Sequence, residues 1–215
     1  MAAHSVAKTS RKPRPAKRRP QARGLATRER LLSAAETLFI AEGYDPVGVE
    51  RIVAAADVTK GAFYHHFGDK LAIFREVFEA IDQEMADRVR ARALTAETPL
   101  GMVQRGVRSC FELCTQPRYG RFVYITAPPV IGWTGWYETD NAISREIVME
   151  GLQNAVELGE LAPLSVASLT TLLMGLVLQG AIAVVNSDTP QRTAQELADE
   201  ADHILLALAA QARSS

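Results

Sequence analysis

Ala54-Ala55-Ala56-Asp57-Val58-Thr59-Lys60-Gly61-Ala62-Phe63-Tyr64-His65-His66-Phe67 is the stretch on which the reading of this chain turns. An apolar-periodic run ends near Ala56, a short turn follows, and Thr59 occupies the N-cap position of a second helix. That helix is too short to bury a core of its own. Phe63 and Phe67, spaced i and i+4, hold one face inward. Lys60, Tyr64 and His65 lie on the other face, and each can donate a hydrogen bond to an anion or a base edge. A short helix packed across its predecessor, with donors outward, is what a helix-turn-helix needs to enter a major groove.

Upstream, the spacing predicts a helix from Thr27 to about Glu42, with Thr27 as cap. Leu31, Ala34, Ala35, Leu38 and Phe39 form its apolar stripe, and Gly43 stops it. Asp45-Pro46 turns the chain into a two-turn helix over Val49 to Ala56, with Ile52 and Val53 inward. Downstream, Gly68-Asp69 breaks the chain and caps a long helix from Lys70 to about Arg92, whose one side carries Leu71, Phe74, Phe78, Ile81 and Met85. It is long enough to leave the small bundle and reach a second domain.

With these residues in place the chain resembles the TetR family of one-component transcriptional regulators. The resemblance is carried by Thr27, Leu31-Leu32, Ala34-Ala35, Leu38-Phe39 and Gly43-Tyr44, then by Val49, Ile52-Val53, Ala56, Val58-Thr59-Lys60-Gly61, Phe63-Tyr64, His66-Phe67 and Lys70. It covers residues 27–75, and the sequence departs from the pattern at Val47-Gly48, Val53 and Asp57. The resemblance implies an all-α dimer, with a three-helix DNA-binding domain and a divergent C-terminal bundle for ligand and dimerisation. It also implies repression relieved by a small molecule. An activator or ligand-independent regulator on the same fold stays open, as does a helical adaptor that binds no DNA. The expected organisation is a disordered basic arm over 1–23, a helix-turn-helix domain over 24–69 and a ligand-binding and dimerisation domain over 70–215, with about nine helices.

Charge supports a polyanion partner at one end. The net charge is −1, but residues 1–30 hold ten Lys or Arg against one acid, leaving fourteen against twenty-four in the rest. Residues 1–23 are too rich in Ala, Pro, Arg and Lys to offset the entropy of ordering, and read as an arm that neutralises phosphates or enters a minor groove. Its candidate contacts are Arg14, Arg18 and Arg19. On the reading head, Lys60 and Ala62 are assigned to base edges, the second through a thymine methyl, and His65 to a base edge or a phosphate. Thr27, Thr59, Tyr64 and Lys70 are assigned to the DNA backbone. The natural partner is a palindromic double-stranded operator, read by two heads one helical turn apart.

Beyond Arg92, Thr98-Pro99 opens a helix to Thr115, and a short helix is expected from Arg118 to Ile125. Ala127-Pro128-Pro129 is expected to break it. Gly132 precedes a helix to Leu158, and two more follow, Ser165 to Val185 and Thr189 to about Ala210. The last two read as a four-helix homodimer interface formed by Leu169, Leu173, Leu176, Val177, Gly180, Leu197, Ala201, Ile204 and Leu208. Phe111, Cys114, Tyr119, Phe122, Trp133, Trp136 and Tyr137 suggest an aromatic pocket with Asn141 and Gln179 as polar anchors, suited to a hydrophobic or aromatic effector. Trp133 and Trp136 are expected to keep some exposure.

Nothing in the sequence calls for an enzyme, a cofactor or a metal. Four His residues are scattered, and no phosphate loop, nucleophile elbow or metal triplet is present. Cys110 and Cys114 read as core packing, and two Cys without a secretory signal point to the cytoplasm. The uncharged segment between Glu160 and Asp188 is read as a buried or interface helix rather than a membrane span, because Ser165, Ser168, Thr170, Thr171 and Gln179 interrupt it.

Overall fold

A computed structural model describes residues 18–212, without the side chains of 18–22, 140–143 and 211–212. Among the described residues there are nine α-helices and one π-turn. They are α1 (Arg18–Glu42), α2 (Val49–Ala55), α3 (Lys60–His66), α4 (Lys70–Ala93), α5 (Pro99–Cys114), the π-turn Phe122–Thr126, α6 (Ala127–Ile131), α7 (Trp133–Glu157), α8 (Val166–Val185) and α9 (Pro190–Ala212). The all-α architecture is the one the sequence predicts, and several helix starts follow their caps. Thr59 accepts from the Ala62 N–H at 3.2 Å, Asp69 from Ala72 at 2.7 Å and Thr98 from Gly101 at 3.1 Å. Gly48 precedes α2 without a side-chain cap. Asp57, in the turn of the helix-turn-helix, takes φ +50°, a conformation Asp tolerates better than most residues.

Three expectations are corrected. α1 already includes Arg18–Arg23, the last part of the stretch expected to be disordered, and Thr27 lies inside the helix, where its hydroxyl donates to the Arg23 carbonyl at 2.9 Å. Pro20 falls in the first turn, which needs no N–H from it, and Ala22, Leu25 and Ala26 favour helix, so nothing forces a start at Thr27. Pro128 and Pro129 do not break the chain; they occupy the first turn of α6. The wider bonding of the preceding π-turn, with the Phe122 N–H reaching the Pro117 carbonyl at 3.0 Å, lets a new helix begin there. Trp136 is fully buried rather than partly exposed.

The reading head does not have a core of its own. Phe39 of α1 meets Phe74 of α4 edge to face at 5.0 Å, and Phe74 meets Phe122 of the π-turn at 5.4 Å. One buried cluster therefore runs from Leu31, Ile52 and Phe63 through α4 to Phe111 and Trp136. A second cluster at the far end joins Leu100, Leu152, Leu161, Leu173 and Leu205. α8 is long and apolar enough by length and composition to cross a membrane, and here it packs against α5, α7 and α9.

Candidate nucleic-acid interface and interior cavity

Phe63 of α3 and Phe67 at its C-cap are buried and turn Lys60, Tyr64 and His65 outward, as their spacing predicts. Tyr64 is 51% exposed and rests edge-on against Phe63. Ala62 is half-buried beside them. Lys60 has a partner that sequence reasoning missed. Its ammonium donates to Glu50 of α2 at 2.5 Å, which raises the lysine and lowers the carboxyl from their ordinary ranges. The pair lies ten positions apart on different helices, so no helical period signals it. On the assignment of Lys60 to the DNA face, freeing its ammonium from this partner should let the Glu50→Gln variant bind DNA more tightly, by about threefold at low salt. A filter-binding titration checks this, and unchanged affinity would show that the pair opens without consequence.

Two other assigned residues sit in structural roles. Lys70 donates to the Tyr44 carbonyl at 3.1 Å and lies over the Tyr44 ring at 3.8 Å, so it fastens the α1–α2 turn to α4. Thr27 is occupied by Arg23. α1 is tied down further: Arg28 pairs with Glu76 of α4 and covers the Phe67 ring, and Arg30 donates to the Asp57 carbonyl at 3.3 Å. Arg14 lies outside the described residues, and Arg18 and Arg19 fall in the first turn of α1.

Arg118, in the loop after α5, joins the head to the bundle. It pairs with Glu36 of α1 and, at 2.6 Å, with Glu84 of α4; Glu84 also accepts from the Tyr119 hydroxyl at 2.8 Å. This bridge was not legible in the sequence, since its members come from three separate segments.

Within the bundle a cavity of about 300 Å³ opens between α4, α5, the π-turn, α7 and α8. Its walls are mainly apolar, with Met85, Met102, Met174, Val103, Val107, Ile147 and Leu178. Tyr124, Tyr137, Cys110, Ser144, Thr171 and Asp82 add polar atoms. Of the residues expected to bind a ligand, Tyr137 lines this cavity. Phe111, Cys114, Tyr119, Phe122 and Trp136 are buried in the core instead, while Trp133 (56% exposed) and Gln179 face outward. The Asn141 side chain lies outside the described residues. Trp136 is held by a 2.8 Å hydrogen bond from its indole N–H to the Val123 carbonyl.

The expected interface residues divide in a similar way. Leu173, Gly180 and Ala201 point into the bundle, and a Cβ on Gly180 would stand 2.5 Å from the Phe111 ring. Leu169, Leu176, Val177, Leu197 and Leu208 are half-buried, and Ile204 is exposed. Leu172, 70% exposed, is the most open large apolar side chain on α8, with Gly175 and Gln179 also open on that helix. His203 is exposed on α9 beside Glu200, and no group of three or more His, Cys, Asp or Glu among the described residues is placed to hold a metal.

A capped, two-faced helix set across its predecessor, on a bundle with an internal cavity, defines a helix-turn-helix regulator of transcription. Comparison with known proteins agrees. The family model described as bacterial regulatory proteins, tetR family, matches residues 31–77, and the tetracyclin repressor-like C-terminal domain matches 101–208, half of the chain. The protein belongs to the TetR family of DNA-binding transcriptional regulators. Among curated relatives, the transcriptional repressor BepR of Brucella suis is 33% identical over 97 residues, 45% of this chain and 46% of its own. The regulator CymR of Pseudomonas putida is 36% identical over 77 residues, 35% and 38% of the two chains. The chain thus spans less than half the length of these relatives. The crystal structure of a TetR-family regulator from Pectobacterium atrosepticum superposes with TM-score 0.73 and 26% identity, covering 87% of this chain and 96% of that one. RolR in complex with resorcinol, at 21% identity and TM-score 0.62, shares the fold over 90% and 94% of the chains.

Proposed function

We propose that the protein is a homodimeric repressor released from a palindromic operator by a hydrophobic or aromatic small molecule. The observation that carries this reading is the position of α4. Asp82, Met85, Ala86 and Val89 form one wall of the cavity, while the first half of the same helix packs on α1. A molecule that fits the cavity better when α4 is displaced changes the spacing of two reading heads. A hundredfold release requires about 3 kcal/mol of difference in its affinity for the two conformations. RolR, solved with resorcinol, supports a small-molecule effector, and BepR, a named repressor, supports the direction of control.

In this reading residues 24–69 form the DNA-binding unit and 70–215 the effector and dimerisation unit, with 1–23 as the basic arm. Lys60 and Ala62 address base edges, His65 a base edge or a phosphate, and Thr59 and Tyr64 the phosphates. Lys70 acts by holding the turn at Tyr44. The partner subunit covers the open face of α8 around Leu172 and Gly175, together with Ile204 of α9. The test is a mobility shift of the DNA upstream of its own gene, with and without candidate effectors, alongside sedimentation of the free protein. Retarded DNA released by an apolar compound, from a protein of twice the chain mass, is the expected result. Equal effector affinity for free and DNA-bound protein overturns the release mechanism, and a monomer overturns the dimer.

A further inference from the structure

The two cysteines of α5 do not share one environment. Neither is in a disulfide and both are buried, Cys110 at 7% exposure and Cys114 at 3%. Exposure therefore does not separate them, and the sequence reads both as core packing. The cavity does separate them: Cys110 belongs to its wall, and Cys114, one helical turn further on, does not. The Cys110 sulfur lies 3.8 Å from the hydroxyl of Tyr124, a residue of the same wall. The Cys114 thiol also hydrogen-bonds to that sulfur. These two contacts, Cys114 the larger, hold the Cys110 thiol below its ordinary range, against burial and the Asp82 charge, which push it up.

The thiolate is the nucleophilic form of cysteine, and a thiol held toward it at the edge of a void is placed to react with what enters. The rest of the wall decides what enters. Met102, Val103, Val107 and Met174 make it mainly apolar. A charged reagent loses its hydration there, and an uncharged one has little to lose. We infer that the cavity is a covalent site for uncharged, lipophilic electrophiles, with Cys110 as the residue that captures an α,β-unsaturated carbonyl compound. The sulfur bonds to the β-carbon, and the carbon–carbon π pair moves toward the carbonyl to give an enolate. The α-carbon of that enolate takes up the proton the thiol gave away, so no oxidant, reductant or leaving group is needed. The volume, about 300 Å³, is at the small end of ligand pockets and suits one aromatic ring with a short enone. This rests on the reading of the cavity as the effector site, and it narrows the class of effector. A guest bonded to α5 stays when its free concentration falls, so DNA release outlasts the exposure that caused it.

The experiment uses the full chain, reduced, and three probes: phenyl vinyl ketone, its saturated counterpart propiophenone, and iodoacetate as a charged thiol reagent. Adducts are followed by intact mass and mapped on peptides, with rates taken relative to free cysteine in the same buffer. Binding of the DNA upstream of the gene is measured with probe present and again after gel filtration removes it. The enone should add once, at Cys110, about tenfold or more faster than at Cys114. On the free-cysteine scale iodoacetate should label Cys110 about a hundredfold more slowly than the enone does. Cys110→Ser should abolish the adduct, and Cys114→Ser should leave it in place. DNA release by the enone should survive gel filtration, and release by propiophenone should not. An adduct shared equally by both thiols, no adduct, loss of the adduct in Cys114→Ser, or iodoacetate labelling as fast as the enone overturns the inference. Mapping in the unaltered protein decides the matter even if a variant fails to fold. Release by propiophenone with no enone adduct sinks the inference and leaves the effector reading intact. A Cys110 adduct that leaves the DNA bound overturns the link to lasting release and counts against the effector reading as well.

Discussion

Replacing Trp136 by Ala should destabilise the protein by about 3–5 kcal/mol, the range for large aromatic truncations in a packed core. The indole is fully buried, lies 6.0 Å from the Tyr124 ring and donates to the Val123 carbonyl inside the π-turn. Truncation removes the packing, leaves a void and orphans a buried carbonyl oxygen. Trp133, three residues away and 56% exposed, is the internal control: its Ala variant should stay within about 0.5 kcal/mol. Urea unfolding of the two variants separates them, and equal losses would refute the difference in burial between the two indoles.

The second large effect is expected at Gly120. A Cβ there would stand 2.0 Å from the Cys114 carbonyl oxygen and 2.8 Å from Val185. The first obstacle is backbone at the end of α5, which has no rotamer with which to retreat. Gly120→Ala should therefore cost about 3 kcal/mol, at the upper end of overpacking penalties. Gly135 in α7, where nothing stands within 4 Å, should gain slightly from the same change through helix propensity. Thermal melts that place both variants at the parent's midpoint would refute the close approach.

These two sites show what was legible in the sequence and what was not. The reading head was legible because its signals are local: Thr59 and Asp69 cap where they stand, and Phe63 and Phe67 fix a face by spacing alone. The bundle was less so. α8 is apolar nearly all round, so its periodicity names no face, and Gly175 and Gly180 look alike although one is open and the other lies against Phe111. The aromatic residues of the middle segment, expected together in one pocket, divide between the core, the cavity wall and the surface. Which of them meet the cavity depends on how the π-turn rotates the chain between α5 and α7, and neither turn nor rotation has a composition signal. Asp82 did leave a trace, as an acid four residues after Phe78 on an otherwise apolar stripe.

The Arg118 bridge alters what a salt titration of this regulator measures. Log affinity against log salt is ordinarily taken as a count of phosphates neutralised. Here the joint between head and bundle is itself ionic, with Arg118 30% exposed and its partners Glu36 and Glu84 exposed to a similar degree. Ions that screen the operator also screen this joint. The slope therefore contains a contribution from the protein's own hinge, and the number of phosphates read from it is not a number of contacts.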